Sequence, residues 1–188
     1  MPQLEHIAAL LGLMCVTLTV YQHVFCWPTG LAMVVLYFFV FYDAQLYSDM
    51  LLQGIYVPLQ LYGWYAWCRG GPQGTELHVH RLPVKHAWGW AVVCGVSTAG
   101  LGAVTLQYRA AFPFLDAFTT IASLIAQWLM GRKILESWLV WIAVDIVSIG
   151  IYSAKELYFT AVLYTLFLLL AGWGFVQWSK TSPVSVAA

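Results

Sequence analysis

Seven apolar runs, each close to the length of a bilayer-crossing helix, follow one another along this chain with only short polar breaks. A helix needs roughly 20 residues to cross the hydrocarbon core. The runs fall at 5–25, 28–43, 49–68, 87–106, 114–131, 137–153 and 157–178. Trp27-Pro28 marks the first break, and the proline suits the first turn of the helix that follows. Asp43 to Asp49, a long loop from Arg69 to His86, Pro113, Arg132-Lys133 and Lys155-Glu156 mark the others. The residues are 62% hydrophobic and 9% charged, against about 25% charged in a soluble domain. Residues 1–188 are therefore expected to form one all-α transmembrane domain with no soluble domain beside it.

That charge pattern also excludes function classes. The formal net charge is zero and no basic run follows a nucleic-acid backbone. No Lys or Arg precedes the first apolar run, so it reads as a permanent span and not as a cleaved leader. The loops after the third and fifth runs, with the C-terminal tail, hold Arg69, Arg81, Lys85, Arg132, Lys133 and Lys180; the other side holds only Arg109 and Lys155. By the positive-inside rule the C-terminus is expected in the cytoplasm and the N-terminus outside.

Shifting the chain by 111 residues against itself gives an ungapped internal match. Leu4-Glu5 falls on Leu115-Asp116, Trp27 on Trp138, Leu46-Tyr47 on Leu157-Tyr158, Gly63 on Gly174 and Trp67 on Trp178. The match predicts a first repeat at 4–68, a linker helix at 87–106 and a second repeat at 114–178. Units four helices apart enter a membrane in the same direction, so this 3+1+3 arrangement is a parallel repeat. Transporters of such architecture bind substrate near the midplane, where the repeats meet.

Polar side chains within the runs mark the expected site, because a charge in lipid costs at least about 2.5 kcal/mol. Steps of three and four place Trp138, Trp141, Asp145, Ser148 and Tyr152 on one helix face. Asp116, Thr120, Ser123 and Gln127 form a second stripe, with Thr119 adjacent, and Gln53, Tyr56, Gln60 and Trp64 a third. Aromatic planes beside amides, hydroxyls and a carboxylate suit a flat heterocycle carrying a polyol, and a cationic ring best. Taken alone, Ser123 or Thr120 would more simply satisfy its own helix backbone. Trp67 and Trp178 are expected as anchors at the membrane–water interface. The four cysteines read as buried thiols, and Glu76, His78, His80 and His86 lack metal-ligand spacing, so neither metal nor cofactor is expected. Nothing places a nucleophile beside Asp145 and Asp116, so an enzyme is not expected.

Two stretches resemble the bacterial PnuC-type vitamin transporters, best known for nicotinamide riboside uptake. One is Gln60-Leu-Tyr62-Gly63-Trp64-Tyr-Ala-Trp67; the other runs from Gln127-Trp128 through Glu136-Ser137-Trp138 and Trp141 to Asp145. Leu157-Tyr158-x-Thr160-Ala161 fits as well, while Ser137 stands where the family often has Asn. The resemblance implies a seven-helix fold like that of the SWEET sugar transporters, in the bacterial inner membrane. It implies facilitated diffusion of a small vitamin by alternating access. Trp64, Trp138 and Trp141 would hold the ring; Gln60, Gln127 and Asp145 would bind polar edges; Thr120, Ser123, Ser148 and Tyr152 would complete the lining. Thiamine and riboflavin remain alternatives, the buried carboxylate favouring a cationic ligand, and a membrane-embedded enzyme or structural subunit is the remote one. Homo-oligomerisation stays open.

Overall fold

The computed structural model describes residues 2–43, 45, 47–108 and 111–181. They form seven α-helices: α1 (Pro2–Val20), α2 (Cys26–Asp43), α3 (Tyr47–Arg69), α4 (Val84–Gln107), α5 (Pro113–Gly131), α6 (Ser137–Ala154) and α7 (Tyr158–Thr181). A single 3-10 turn, Pro72–Gly74, interrupts the long loop. Helices α2, α4, α5, α6 and α7 are long and apolar enough to cross a membrane. Helix α1 offers a shorter apolar stretch, His6–Val20, and α3 carries Asp49, Gln53 and Gln60 within its length. Leu46 and Arg109, used above for the repeat and for the charge bias, lie outside the described residues.

Four helices end on the same local device. Gln22, Gln45, Lys133 and Glu156 have φ of 56°, 58°, 52° and 59°, each two residues beyond the end of α1, α2, α5 or α6. The left-handed residue turns the next amide back onto orphan carbonyls at the helix end. Gln22 N–H donates to Thr19 O (2.9 Å) and His23 N–H to Leu18 O (2.9 Å). Lys133 and Ile134 repeat this pair on Met130 and Leu129, and Glu156 and Leu157 repeat it on Ser153 and Tyr152. Left-handed backbone at a residue other than glycine costs roughly 1–2 kcal/mol, so these turns are held by what surrounds them. The first helix accordingly stops at Val20, before the apolar Tyr21 and Phe25 that extend the sequence-based span to residue 25. Helices α1, α2 and α3 start at residues 2, 26 and 47; α5, α6 and α7 start at 113, 137 and 158.

The chain divides into two compact units. The first comprises residues 1–78 together with 130–133, the second residues 79–129 and 134–188. In the first, Trp27 of α2 packs against Gly63 of α3, where a Cβ would overlap its ring. Trp67 meets the edge of Trp27 at 5.3 Å and 83°. The Trp67 indole N–H donates to Met130 O (3.0 Å), and the Lys133 ammonium sits 4.5 Å from the ring centroid.

In the second unit, Trp138 of α6 occupies the surface left bare by Gly174 of α7 and meets Trp178 edge-on at 5.4 Å and 88°. Ile125, Leu129 and Ile134 form its buried core with Leu82, Trp90 and Cys94 packed against them. The loop before α4 is pinned there: Leu135 N–H donates to His80 O (3.0 Å), and Leu82 N–H to the Glu136 carboxylate (2.7 Å).

The interfacial role expected for two tryptophans is corrected by this packing. Trp67 is 2% exposed and Trp178 0%. A glycine four residues earlier, on the same helix face, opens room for a tryptophan from the neighbouring helix and draws both indoles inside.

Lys133 gives a test of the first unit. Burial pushes its ammonium below the ordinary lysine value of 10.5, against the opposing pull of Glu76. The folded protein therefore holds fewer protons than the unfolded chain just below pH 10.5, and stability rises with pH across that window. Lys133→Met keeps the stem over Trp67 and removes the titration. The rise in thermal midpoint across that pH window should be smaller in the variant than in the wild type.

Candidate functional site

The residues expected from sequence divide between the units. Gln60 and Trp64 lie on α3 in the first; Thr120, Ser123, Gln127, Trp138, Trp141, Asp145, Ser148 and Tyr152 lie on α5 and α6 in the second. Each unit presents its own polar surface.

On α6 the sequence-derived face is the inward one. Asp145 and Ser148 are each 3% exposed, Val144 and Ile151 are buried beside them, and Trp141 and Tyr152 are half-buried. Leu139, Ile146 and Gly150 are exposed on the other side. Helical steps of three and four produce this division directly, since the polar positions recur on one face and the aliphatic ones on the other. The Tyr152 ring stacks on Tyr164 of α7 at 5.2 Å and 23°. Among the described residues, no hydrogen bond or ion pair reaches the side chains of Asp145 or Ser148. A buried carboxylate without a counter-ion is expensive to keep, and it persists where a ligand supplies the missing charge.

Trp138 behaves differently from the rest of its stripe. It is 2% exposed, enclosed by Gly174 and Trp178, and its indole N–H has no partner among the described residues. Its aromatic surface is spent on packing α6 against α7.

Helix α5 contributes hydroxyls that serve the helix first. Thr119 and Thr120 each donate to Asp116 O (2.9 Å), and Ser123 donates to Thr120 O (2.9 Å). A hydroxyl that donates to its own backbone keeps lone pairs for accepting. Gln127, one turn further, is half-buried and makes no hydrogen bond among the described residues. Asp116 lies 3.6 Å from the Lys155 ammonium at the start of the helix, where both groups are partly exposed.

In the first unit Gln60 is 5% exposed, and its carboxamide lies on the bare Cα of Gly30 with the Cys15 thiol alongside. It too has no hydrogen-bond partner among the described residues. Trp64, one turn on, is exposed. Among the described residues, no group of three or more His, Cys, Asp or Glu comes together to hold a metal.

Three residues escaped the stripe argument. Glu136, just before α6, anchors the loop through Leu82; an acid at the entrance of a helix was its only signal. Lys133 passes for an ordinary loop cation until its contact with Trp67 is seen. Gly30 has no side chain to draw notice.

Comparison with known proteins places these features in a family. Residues 3–180 match the family model described as nicotinamide mononucleotide transporter. The chain is 29% identical over 205 residues to the nicotinamide riboside transporter PnuC of Escherichia coli K12, covering 95% of this chain and 86% of that one. It is 26% identical over 183 residues to the riboflavin/roseoflavin transporter RibM of Streptomyces davaonensis, covering 93% and 83%. A crystal structure of the vitamin B3 transporter PnuC superposes with a TM-score of 0.75 at 26% identity, covering 95% of this chain and 81% of that chain.

Proposed function

Because this chain belongs to the family described as nicotinamide mononucleotide transporters, we propose that it carries nicotinamide riboside across a bacterial inner membrane. Asp145 is the observation that carries this choice: a carboxylate 3% exposed, with no partner among the described residues. The riboside bears a fixed positive charge on its pyridinium ring. Its mononucleotide adds a phosphate, which reverses the net charge. An unpaired buried carboxylate attracts the first and repels the second, more strongly as the local dielectric falls. None of the proposed lining residues is Lys or Arg, the side chains that bind phosphate.

Asp145 is assigned to the cationic ring. Gln127 and Ser148, also without partners among the described residues, serve the amide and ribose hydroxyls, with Thr120 accepting through its remaining lone pairs and Ser123 lining the site one turn on. Trp141 and Tyr152 supply aromatic surface from α6; within the first unit, Gln60 and Trp64 offer an amide and a ring on α3. Trp138 supports α6 from behind, since its ring is already enclosed. Riboflavin is the second reading, favoured by the likeness to RibM, and thiamine the third. Neutral riboflavin offers Asp145 hydrogen-bond donors but no cation, and a titration of all three vitamins followed by tryptophan fluorescence separates them.

The architecture we propose is a parallel 3+1+3 repeat of seven transmembrane helices, with α4 as the linker. It is supported by helix starts at 2, 26 and 47 against 113, 137 and 158. The left-handed residues Gln22 and Gln45 correspond to Lys133 and Glu156. Each unit also holds its own tryptophan pair on a glycine. The C-terminus is assigned to the cytoplasm from the Lys and Arg distribution.

Transport is proposed as facilitated diffusion by alternating access. In vesicles reconstituted with the purified protein, labelled nicotinamide riboside should equilibrate unmodified without an ion gradient. Accumulation above equilibrium that requires a proton gradient would overturn the uniport reading.

A further inference from the structure

We propose that Gly30 and Cys15 form a notch that seats the Gln60 carboxamide, which makes Gly30 a positioning residue for the substrate-binding amide of α3. The proposal rests on the reading that Gln60 touches the substrate. Three helices build the notch: Cys15 from α1, Gly30 from α2 and Gln60 from α3. A Cβ at Gly30 would stand 2.6 Å from Gln60 Nε2 and 3.0 Å from both Gln60 Cδ and Cys15 Sγ. Ordinary van der Waals contact needs about 3.5 Å or more, so any residue larger than glycine displaces the amide.

The walls of the notch are themselves held. The Cys15 thiol donates to Cys26 O (3.1 Å), and the Thr29 hydroxyl donates to that same carbonyl (2.9 Å). The Thr19 hydroxyl donates to Cys15 O (2.8 Å). These bonds fix α1 and the first turn of α2 around the amide. None reaches the amide itself: Gln60 is 5% exposed and has no hydrogen-bond partner among the described residues. A carboxamide held by shape alone keeps its donors and its acceptor available for a ligand. Pro58 strengthens the case, because it lies inside α3 two residues before Gln60 and has no amide to donate to the preceding turn. A proline within an apolar transporter helix is one sequence pointer to a substrate site.

The test is a double-mutant cycle on the full chain, reading nicotinamide riboside affinity by tryptophan fluorescence alongside thermal midpoints. Gln60→Ala should weaken binding about tenfold, in line with one lost hydrogen bond. Gly30→Ala should weaken it by a similar factor, and by nothing further in the Gln60→Ala background. Independent losses that multiply would show that Gly30 acts through general packing, and would overturn the proposal. Gly30→Ala without effect, beside a Gln60→Ala that weakens binding, also overturns it. A Gln60→Ala without effect removes the reading on which it rests. Should Gly30→Ala fail to fold, Cys15→Val narrows the same notch from α1 and carries the same expectations.

Discussion

Asp145→Asn will raise the thermal midpoint of the free protein while weakening nicotinamide riboside binding by a factor of thirty to several thousand. Both effects come from one carboxylate. In the free protein it is 3% exposed and no partner among the described residues compensates its charge. An amide of the same shape carries no charge to desolvate, so the folded state gains. With substrate bound, the carboxylate faces a fixed cation. Losing one member of a buried charge pair costs about 2–5 kcal/mol, which sets the range of the expected loss. Ligand-dependent stabilisation provides the measurement. At a hundredfold excess over Kd the wild type should gain about 2.7 kcal/mol, and Asp145→Asn at that same concentration much less. A variant that unfolds, or one that keeps the full ligand shift, would sink the assignment.

Gly174→Ala should be strongly damaging in the second unit, and Gly63→Ala its equal in the first. A Cβ at either position enters the ring of Trp138 or Trp27, and those rings are wedged against Trp178 and Trp67. Overpacking typically costs 1–3 kcal/mol and more where nothing can yield; an indole 2% exposed has little room to move. We expect a loss of at least about 3 kcal/mol for each, read as a sharp fall in thermal midpoint or in folded yield. Gly150 and Gly172 serve as controls, because a Cβ at either meets nothing within 4 Å. There alanine should be neutral or add about 0.5–1 kcal/mol from reduced backbone entropy in the unfolded chain. Equal effects at all four glycines would show that helix propensity, and not the tryptophan seats, decides the outcome.

Five of the helices were legible because each is an apolar run of near-membrane length, and the inward face of α6 because its polar residues recur at helical spacing. Helix ends were less so. Gln22 caps α1 in a left-handed conformation with no glycine to announce it, and apolar Tyr21 and Phe25 disguise the stop. The tryptophans near the ends of α3 and α7 were misplaced for a physical reason. Lipid-facing and buried indoles both favour such positions, and composition alone does not separate them. The matched glycines carried the missing information, because space on one helix is legible only together with the ring that fills it. That Gln60, Gln127 and Asp145 find no partner among the described residues depends on tertiary packing, beyond the reach of any local pattern.

The first unit is completed by Met130–Lys133, four residues that lie beyond α4 in the chain. That arrangement sets an order on biogenesis. When α1 to α3 leave the ribosome, the Trp67 indole has no Met130 carbonyl to receive its N–H and no Lys133 over its ring. An unmet buried donor of this kind costs about 1–3 kcal/mol. The first unit therefore lacks these contacts until the end of α5 has been made. Two halves that resemble each other in sequence are not two modules that mature alone.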